Sequence, residues 1–121
     1  MDQKLTHKFN LERRTTEFGK KIVCLCRSVP KDPINYRIIG QLTGSAGSIG
    51  ANYREANDAL GKKDFLLRIR ISRKEAKESL HWLELLAEAN PDKNIEMLPL
   101  FQECNEIKNI LSAIINKIQN K

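Results

Sequence analysis

The sequence predicts an all-α protein, an antiparallel up-down-up-down four-helix bundle. Apolar side chains recur at spacings of three and four residues in four segments, which places them on one face of a helix. The 121 residues include only 6 Gly and 4 Pro, and 40% of the chain is hydrophobic against 30% charged, as is typical of helical domains. A chain of this length supports one core, so we predict a single domain over residues 1–121 with short, antiparallel connections.

The first helix is predicted over residues 11–29. Asn10 can cap its amino end by accepting a hydrogen bond from a backbone N–H of the first turn. Pro30 ends it, because the proline ring cannot continue the hydrogen-bond ladder. The predicted buried face contains six residues spaced four, three, four, three and four apart: Leu11, Thr15, Phe18, Ile22, Leu25 and Val29.

The second helix, predicted over residues 34–60, is unusually rich in small residues. Its predicted core face is Ile38, Leu42, Ala46, Ile49, Tyr53, Ala56 and Leu60. A second row of small residues lines a groove in which another helix can approach closely: Gly40, Gly44, Gly47 and Ala51. Glycine inside a helix costs about 0.5–1 kcal/mol relative to alanine, so the alternative is a loop at GSAGSIG that splits the segment. We favour the continuous helix.

A third helix is predicted over residues 62–89 and a fourth over residues 98–119. Asp64 suits the first turn of the third helix, and Asn90 with Pro91 ends it. Pro99 suits the first turn of the fourth helix, where its missing N–H is not needed. The predicted core of the third helix is Phe65, Ile69, Ser72, Ala76, Leu80, Leu83 and Ala87, and that of the fourth is Phe101, Cys104, Ile107, Leu111, Ile114 and Ile118.

The third helix also carries a row of cations outside its core face. The net charge of the chain is +6, and residues 62–77 hold seven basic groups against Asp64 and Glu75. At 100° per residue, five of these cations fall between roughly 80° and 180° from Phe65. They are predicted to contact the phosphates of a nucleic acid, the alternative being a solvated helix face: Lys63, Arg70, Arg73, Lys74 and Lys77.

A second apolar stripe lies on the other side of the same helix. Four large side chains fall between roughly 200° and 260° from Phe65, away from the core face. We predict that they form a subunit interface, the alternative being ordinary scattered surface residues. The four are Leu67, Ile71, Trp82 and Leu85.

The residue types needed for catalysis are sparse. The chain has two histidines and three cysteines; Cys24 and Cys26 form no CxxC motif, and the glycines match no phosphate-binding loop. We therefore predict no enzyme activity, no metal site and no cofactor. No apolar run approaches the roughly 20 residues that cross a bilayer, and the start lacks the apolar region of a secretory signal, which predicts a cytoplasmic protein without a membrane partner.

Three stretches carry a family resemblance: LERRTTEFGKKIVCLCRSVP, SIGANYREA and KKDFLLRIRISRKEAKESLHWLELL. With them the chain closely resembles the small four-helix-bundle proteins encoded by intervening sequences of bacterial 23S rRNA genes. It is also similar to the accessory variability determinant proteins of diversity-generating retroelements, which belong to the same superfamily. The resemblance implies a barrel-shaped homopentamer with positively charged surfaces. In the retroelement relatives it further implies binding to RNA or DNA and to a reverse transcriptase.

Asn52 and Glu55 are polar residues of the SIGANYREA motif that lie near the core seam. We interpret them as a hydrogen-bonded structural pair that fixes the register of the bundle, in preference to ligand-binding residues. Two function classes remain: an oligomeric nucleic-acid-associated module without enzyme activity, or a protein-binding or structural scaffold without nucleic-acid binding. Salt-dependent retention of RNA or DNA distinguishes the first class from the second.

Overall fold

A computed structural model describes the backbone of residues 3–120 and the side chains of residues 11–120. It contains four α-helices, and residues 3–120 include no β-strand. The all-α class and the number of helices are thus confirmed. The helices are α1 (Gln3–Ser28), α2 (Pro33–Asn57), α3 (Lys62–Ala89) and α4 (Asn94–Gln119), with a 3₁₀ turn at Pro91–Lys93 before α4.

Each helix packs against two neighbours. α2 lies between α1 and α3, and α4 contacts α3 and, less extensively, α1. Within the described chain the diagonal pairs, α1 with α3 and α2 with α4, have no Cα atoms within 8 Å of each other. The four helices therefore surround one elongated core, as in a four-helix bundle.

Three predicted helix ends are wrong. α1 begins at Gln3, so Asn10 lies within the helix and does not cap it. α2 ends at Asn57, and Leu60, predicted as core, is fully exposed in the following loop because the helical period no longer applies there. α4 begins at Asn94, which leaves Pro99 inside the helix, where its ring removes only one backbone hydrogen bond.

The predicted core faces agree best for the first two helices. All six predicted α1 residues are buried, as are the α2 residues other than Leu60. On α3 and α4 the buried face is rotated, so that predicted members such as Leu80 and Ile114 are half-buried flanks. The others on the flanks are Phe65, Ala87, Phe101 and Ile118, and the buried residues that the prediction missed are Ser79, Leu86, Met97, Leu100 and Ile115.

Hydroxyl groups hold α2 close to α3. Ser72 Oγ donates to the carbonyl oxygen of Ile49 at 2.7 Å, and the hydroxyls of Ser79 and Ser45 are 3.0 Å apart. A side chain as small as serine lets two helix backbones approach more closely than leucine would. The sequence GSAGSIG lies inside α2 without a break, because Ser45 and other small residues of this stretch face neighbouring helices.

Gly50 provides the corresponding close contact with α1. A Cβ atom added at Gly50 would lie 3.0 Å from Thr15 Oγ1, which is closer than a normal contact. Thr15 is itself buried, and its hydroxyl donates to the carbonyl oxygen of Glu12 at 3.0 Å. The absence of a side chain at Gly50 therefore sets how closely α1 and α2 pack.

A reciprocal pair of buried amides joins the first turn of α2 to the end of α3. Asn35 Nδ2 donates to Asn90 Oδ1 at 3.0 Å, and Asn90 Nδ2 donates to Asn35 Oδ1 at 2.8 Å. The remaining amide hydrogens are used by the carbonyl oxygens of Pro30 and Leu86, each at 2.9 Å. This saturated pair links the connection before α2 with the connection after α3.

We expect Asn90→Leu to lower the free energy of unfolding by about 2–3 kcal/mol, because the buried Asn35 amide then loses both of its hydrogen bonds with Asn90. The Asn35→Leu/Asn90→Leu double variant should lose less than the sum of the single variants, since no unpaired amide remains. Urea denaturation measures both, with exposed Asn116→Leu as the control. Equal losses in Asn90→Leu and the control would contradict the structural role of the pair.

The three cysteines differ in reactivity. Cys24 is exposed, whereas burial raises the pKa of the Cys26 thiol to about 11 and that of Cys104 to about 12. Cys104 Sγ also donates to the carbonyl oxygen of Ala76 at 3.3 Å. Since the thiolate is the reactive form, a raised pKa and burial both protect a thiol.

A thiol-reactive disulfide reagent at about pH 8 should therefore label Cys24 rapidly in the folded protein, and all three cysteines in denaturant. Absorbance of the released aromatic thiol counts the labelled sites. A Cys24→Ser variant should show no fast phase. A second fast thiol in the folded wild-type protein would contradict the burial of Cys26 and Cys104.

Candidate nucleic-acid interface

The five predicted phosphate-contacting cations lie along the flank of α3 that faces α4. Four are exposed, and Arg73 is half-buried, with its Nη1 donating to Ser112 Oγ of α4 at 3.4 Å. Among the side chains of residues 11–120, none of the five has a carboxylate oxygen within 4.0 Å. These five cations have no internal counter-ion and are here called the basic row: Lys63, Arg70, Arg73, Lys74 and Lys77.

Acidic groups lie near this row without neutralising it. Glu75 is half-buried, and burial, with the nearby Glu78 carboxylate, raises its pKa, while Lys74 acts in the opposite direction. By helical position, Glu75 belongs to the α2 side of α3. Residues 78–89 contain three glutamates and no Lys or Arg, so the surface of α3 changes from basic to acidic along its length.

Arg68 lies on the opposite flank of α3, toward α2. Its Nη1 donates to Asn52 Oδ1 at 3.3 Å, and Asn52 Nδ2 donates to the carbonyl oxygen of Ser48 at 2.9 Å. The predicted pairing of Asn52 with Glu55 is therefore wrong. Glu55 is exposed, because it falls on the outer surface of α2, whereas Asn52 lies at the contact with α3.

The predicted apolar stripe of α3 is only partly available to a partner. Leu67 and Leu85 are 53% and 39% exposed, whereas Ile71 and Trp82 are half-buried. Trp82 packs against the core of its own chain, and its indole makes an edge contact with the His81 ring at 5.0 Å between centroids. Helical position alone did not reveal this because a tryptophan side chain is long enough to reach the core from a flank.

The small-residue row of α2 faces outward. Gly40, Gly44 and Gly47 are exposed, and a Cβ atom added to any of them would meet no atom within 4 Å. Ala51 is exposed on the same face. The prediction that this row forms a groove for a neighbouring helix is thus wrong within the protomer, where other small residues make the close contacts.

An ion pair that no sequence pattern predicted joins α1 to α4. Arg14 of α1 donates to both carboxylate oxygens of Glu103 in α4, with Nε and Nη2 at 3.0 and 2.6 Å. This hydrogen bonding raises the pKa of Arg14. The two residues are 89 positions apart, and no local pattern links them. Arg14 and Glu103 thus neutralise each other, on the side of the bundle away from the basic row.

The described residues contain no other constellation with evident chemistry. No group of three or more His, Cys, Asp or Glu side chains that could hold a metal ion is found between residues 11 and 120. A shallow surface depression of mixed charge lies between α1 and α2, where Arg54 Nη2 donates to Thr16 Oγ1 at 3.0 Å. None of the helices, as far as they are described, is long and apolar enough to span a membrane.

Comparison with known proteins gives a consistent result. A structure of a protein of unknown function from the S23 ribosomal protein family, from Bacteroides thetaiotaomicron VPI-5482, superposes with a TM-score of 0.82 at 30% sequence identity. The match covers 90% of this chain and 97% of that chain. No curated protein matches. The family model described as 23S rRNA-intervening sequence protein matches residues 7–113, and the chain therefore belongs to this family.

Proposed function

We propose that this protein is a non-enzymatic, cytoplasmic module that binds the sugar-phosphate backbone of a nucleic acid without a cofactor. The observation that carries the proposal is the row of five cations on α3, none of which has an internal counter-ion among residues 11–120. Cations aligned on one helix neutralise phosphates in a sequence-independent way.

The packing of the bundle favours this use of the row. Arg73 is half-buried and bonded to Ser112, so less side-chain entropy is lost when it contacts a phosphate. The other four cations extend from the same rigid helix. At a rise of 1.5 Å per residue, the row extends over about 21 Å of α3 from Lys63 to Lys77, and its last four members lie within about 10 Å.

We also propose that the helices run antiparallel, up-down-up-down, and that the protomers assemble into a homopentameric barrel. The contacts of Arg68, Ser72 and Ser79 on α3 move backwards along α2, from Asn52 through Ile49 to Ser45, which supports opposite directions for these helices. Assembly would cover the exposed Leu67 and Leu85, together with the flat glycine row of α2, and would repeat the basic row around the barrel.

The resemblance to the accessory proteins of diversity-generating retroelements extends the proposal to a partner. In that setting the basic surface would hold a nucleic acid near a reverse transcriptase. The competing function is a protein-binding or structural scaffold, in which the positive charge only maintains solubility. Exposed apolar residues away from the basic row favour that candidate: Ile34, Tyr36, Ile95 and Leu98.

Native mass spectrometry should give an assembly of several protomers, with five times 13.9 kDa as the expected mass. Leu67→Glu should dissociate it, because assembly would then bury an unpaired charge. Leu98→Glu is the matched control, since Leu98 is similarly exposed on α4. Trp82→Glu is less informative, because Trp82 also packs in its own core. A monodisperse wild-type monomer at micromolar concentration would contradict the interface.

Replacement of Arg70, Arg73, Lys74 and Lys77 by Gln should weaken binding to RNA or DNA of different sequences about equally. The slope of log affinity against log salt should decrease by about three, because each lost phosphate contact releases roughly 0.7–0.9 fewer counterions. Fluorescence anisotropy at several salt concentrations measures both quantities.

The matched control removes four other exposed cations: Arg13, Lys21, Arg27 and Arg37. This variant has the same net charge and should bind more tightly than the α3 variant. Equal weakening of nucleic-acid binding in the two variants would mean that binding depends on the net charge of the protein and not on the basic row. Absence of any wild-type binding to RNA or DNA at low salt would overturn the proposed function and leave the scaffold as the better account.

A further inference from the structure

The outer surface of α4 carries a row of uncharged polar side chains beside the basic row of α3. The row follows spacings of three, four, three, four and three residues, which keeps its six members within a roughly 100° arc of one helix face. Charged residues of α4 such as Glu103, Glu106 and Lys117 fall outside this arc. The members, here called the amide row, are Gln102, Asn105, Asn109, Ser112, Asn116 and Gln119.

This composition is unusual for a helix face that only contacts water. Asparagine is a poorer helix former than lysine or glutamate, so three asparagines inside α4 reduce its intrinsic stability. The asparagines that lie at helix contacts or chain reversals are bonded within the chain: Asn35, Asn52, Asn57 and Asn90. By contrast, within residues 11–120 no side-chain hydrogen bond is made by Asn105, Asn109 or Asn116, all of which are exposed.

The amide row and the basic row face the same groove. Ser112 belongs to the amide row and accepts the hydrogen bond from Arg73 Nη1, so the rows meet at this contact. A second contact between the same two helices is buried: the thiol of Cys104 in α4 donates to the carbonyl oxygen of Ala76 in α3. The two contacts fix α3 and α4 in register. Axes of packed helices lie about 8–10 Å apart. One wall of the groove is therefore cationic. The other is rich in uncharged hydrogen-bond donors and acceptors, with the half-buried Lys108 at its inner edge.

The two walls suit different parts of one ligand. Phosphate oxygens only accept hydrogen bonds and carry charge, which matches the cations of α3. Amide side chains both donate and accept, as base edges and the ribose 2′-hydroxyl do. In a single strand the Watson–Crick base edges are unpaired and accessible, whereas in a duplex they are paired with each other.

We infer that the groove between α3 and α4 binds single-stranded nucleic acid, with phosphates along the basic row and base edges or ribose hydroxyls along the amide row. This inference rests on the proposed function and adds a second set of contacts to it. The α3 cations supply affinity that depends on salt, and the α4 amides supply affinity that depends on the nucleotide and not on salt.

The test is an Asn105→Ala/Asn109→Ala/Asn116→Ala variant of the full chain. Alanine is the better helix former, so the variant should fold at least as stably as the wild type. Binding is measured by anisotropy with labelled single-stranded RNA, the DNA of the same sequence, and the RNA duplex, each at several salt concentrations. The matched control is Gln41→Ala, which removes an exposed amide from α2.

We expect the triple variant to bind single-stranded RNA roughly 10- to 50-fold more weakly with an unchanged salt slope, because each net hydrogen bond contributes a few-fold in affinity. Duplex binding and the control should change little. A larger loss for RNA than for DNA identifies the 2′-hydroxyl as a ligand, and equal losses identify the bases.

Three results would overturn the inference. Unchanged binding by the triple variant would show that the amide row does not contact the nucleic acid, while the proposed function would still stand. A change in the native mass of the variant would assign the row to a contact between protomers. Absence of wild-type binding to any nucleic acid would overturn the proposed function, and the amide-row inference with it.

Discussion

The close packing of α2 against α3 is the constraint on which the rest of the bundle depends. It is maintained where hydroxyl groups replace larger side chains, at the contacts of Ser72 with Ile49 and of Ser79 with Ser45. α1 then packs against α2 at Gly50, and α4 packs against α3. The contact between α1 and α4 is less extensive and includes the Arg14–Glu103 ion pair. The small residues of α2 thus have two roles: some allow close packing, and others leave a flat outer surface.

This arrangement divides the surface of α3 into two flanks with different chemistry. Because α3 lies between α2 and α4, one flank borders each neighbour, and on each an arginine is bonded to the adjacent helix: Arg68 to Asn52 of α2, and Arg73 to Ser112 of α4. The basic row lies on the α4 side of α3, while the exposed Leu67 and Leu85 lie on its outer surface, opposite the core.

Periodicity predicted the cores of α1 and α2 well and failed at helix ends. Burial of an apolar residue every three or four positions identifies a face as long as the backbone stays helical, which is why all six predicted α1 residues are buried. Leu60 fails because α2 has already ended. Asn10 fails because the helix continues through it, and a residue type that caps helices is also tolerated within them. The rotated faces of α3 and α4 reflect the positions of their neighbours, which no single helix specifies.

The sequence by itself determined the helical class, the cations on one side of α3 and the presence of small residues in α2, because these depend on residue type and a local period of 100° per residue. Only the tertiary structure decided which groups meet. Asn35 and Asn90, 55 positions apart, are hydrogen-bonded to each other. Asn52 accepts a hydrogen bond from Arg68, while Glu55 is exposed. Ser112 of the amide row accepts a hydrogen bond from Arg73 of the basic row. Such pairings depend on the rotation and spacing of packed helices, which are set by the shapes of all contacting side chains together.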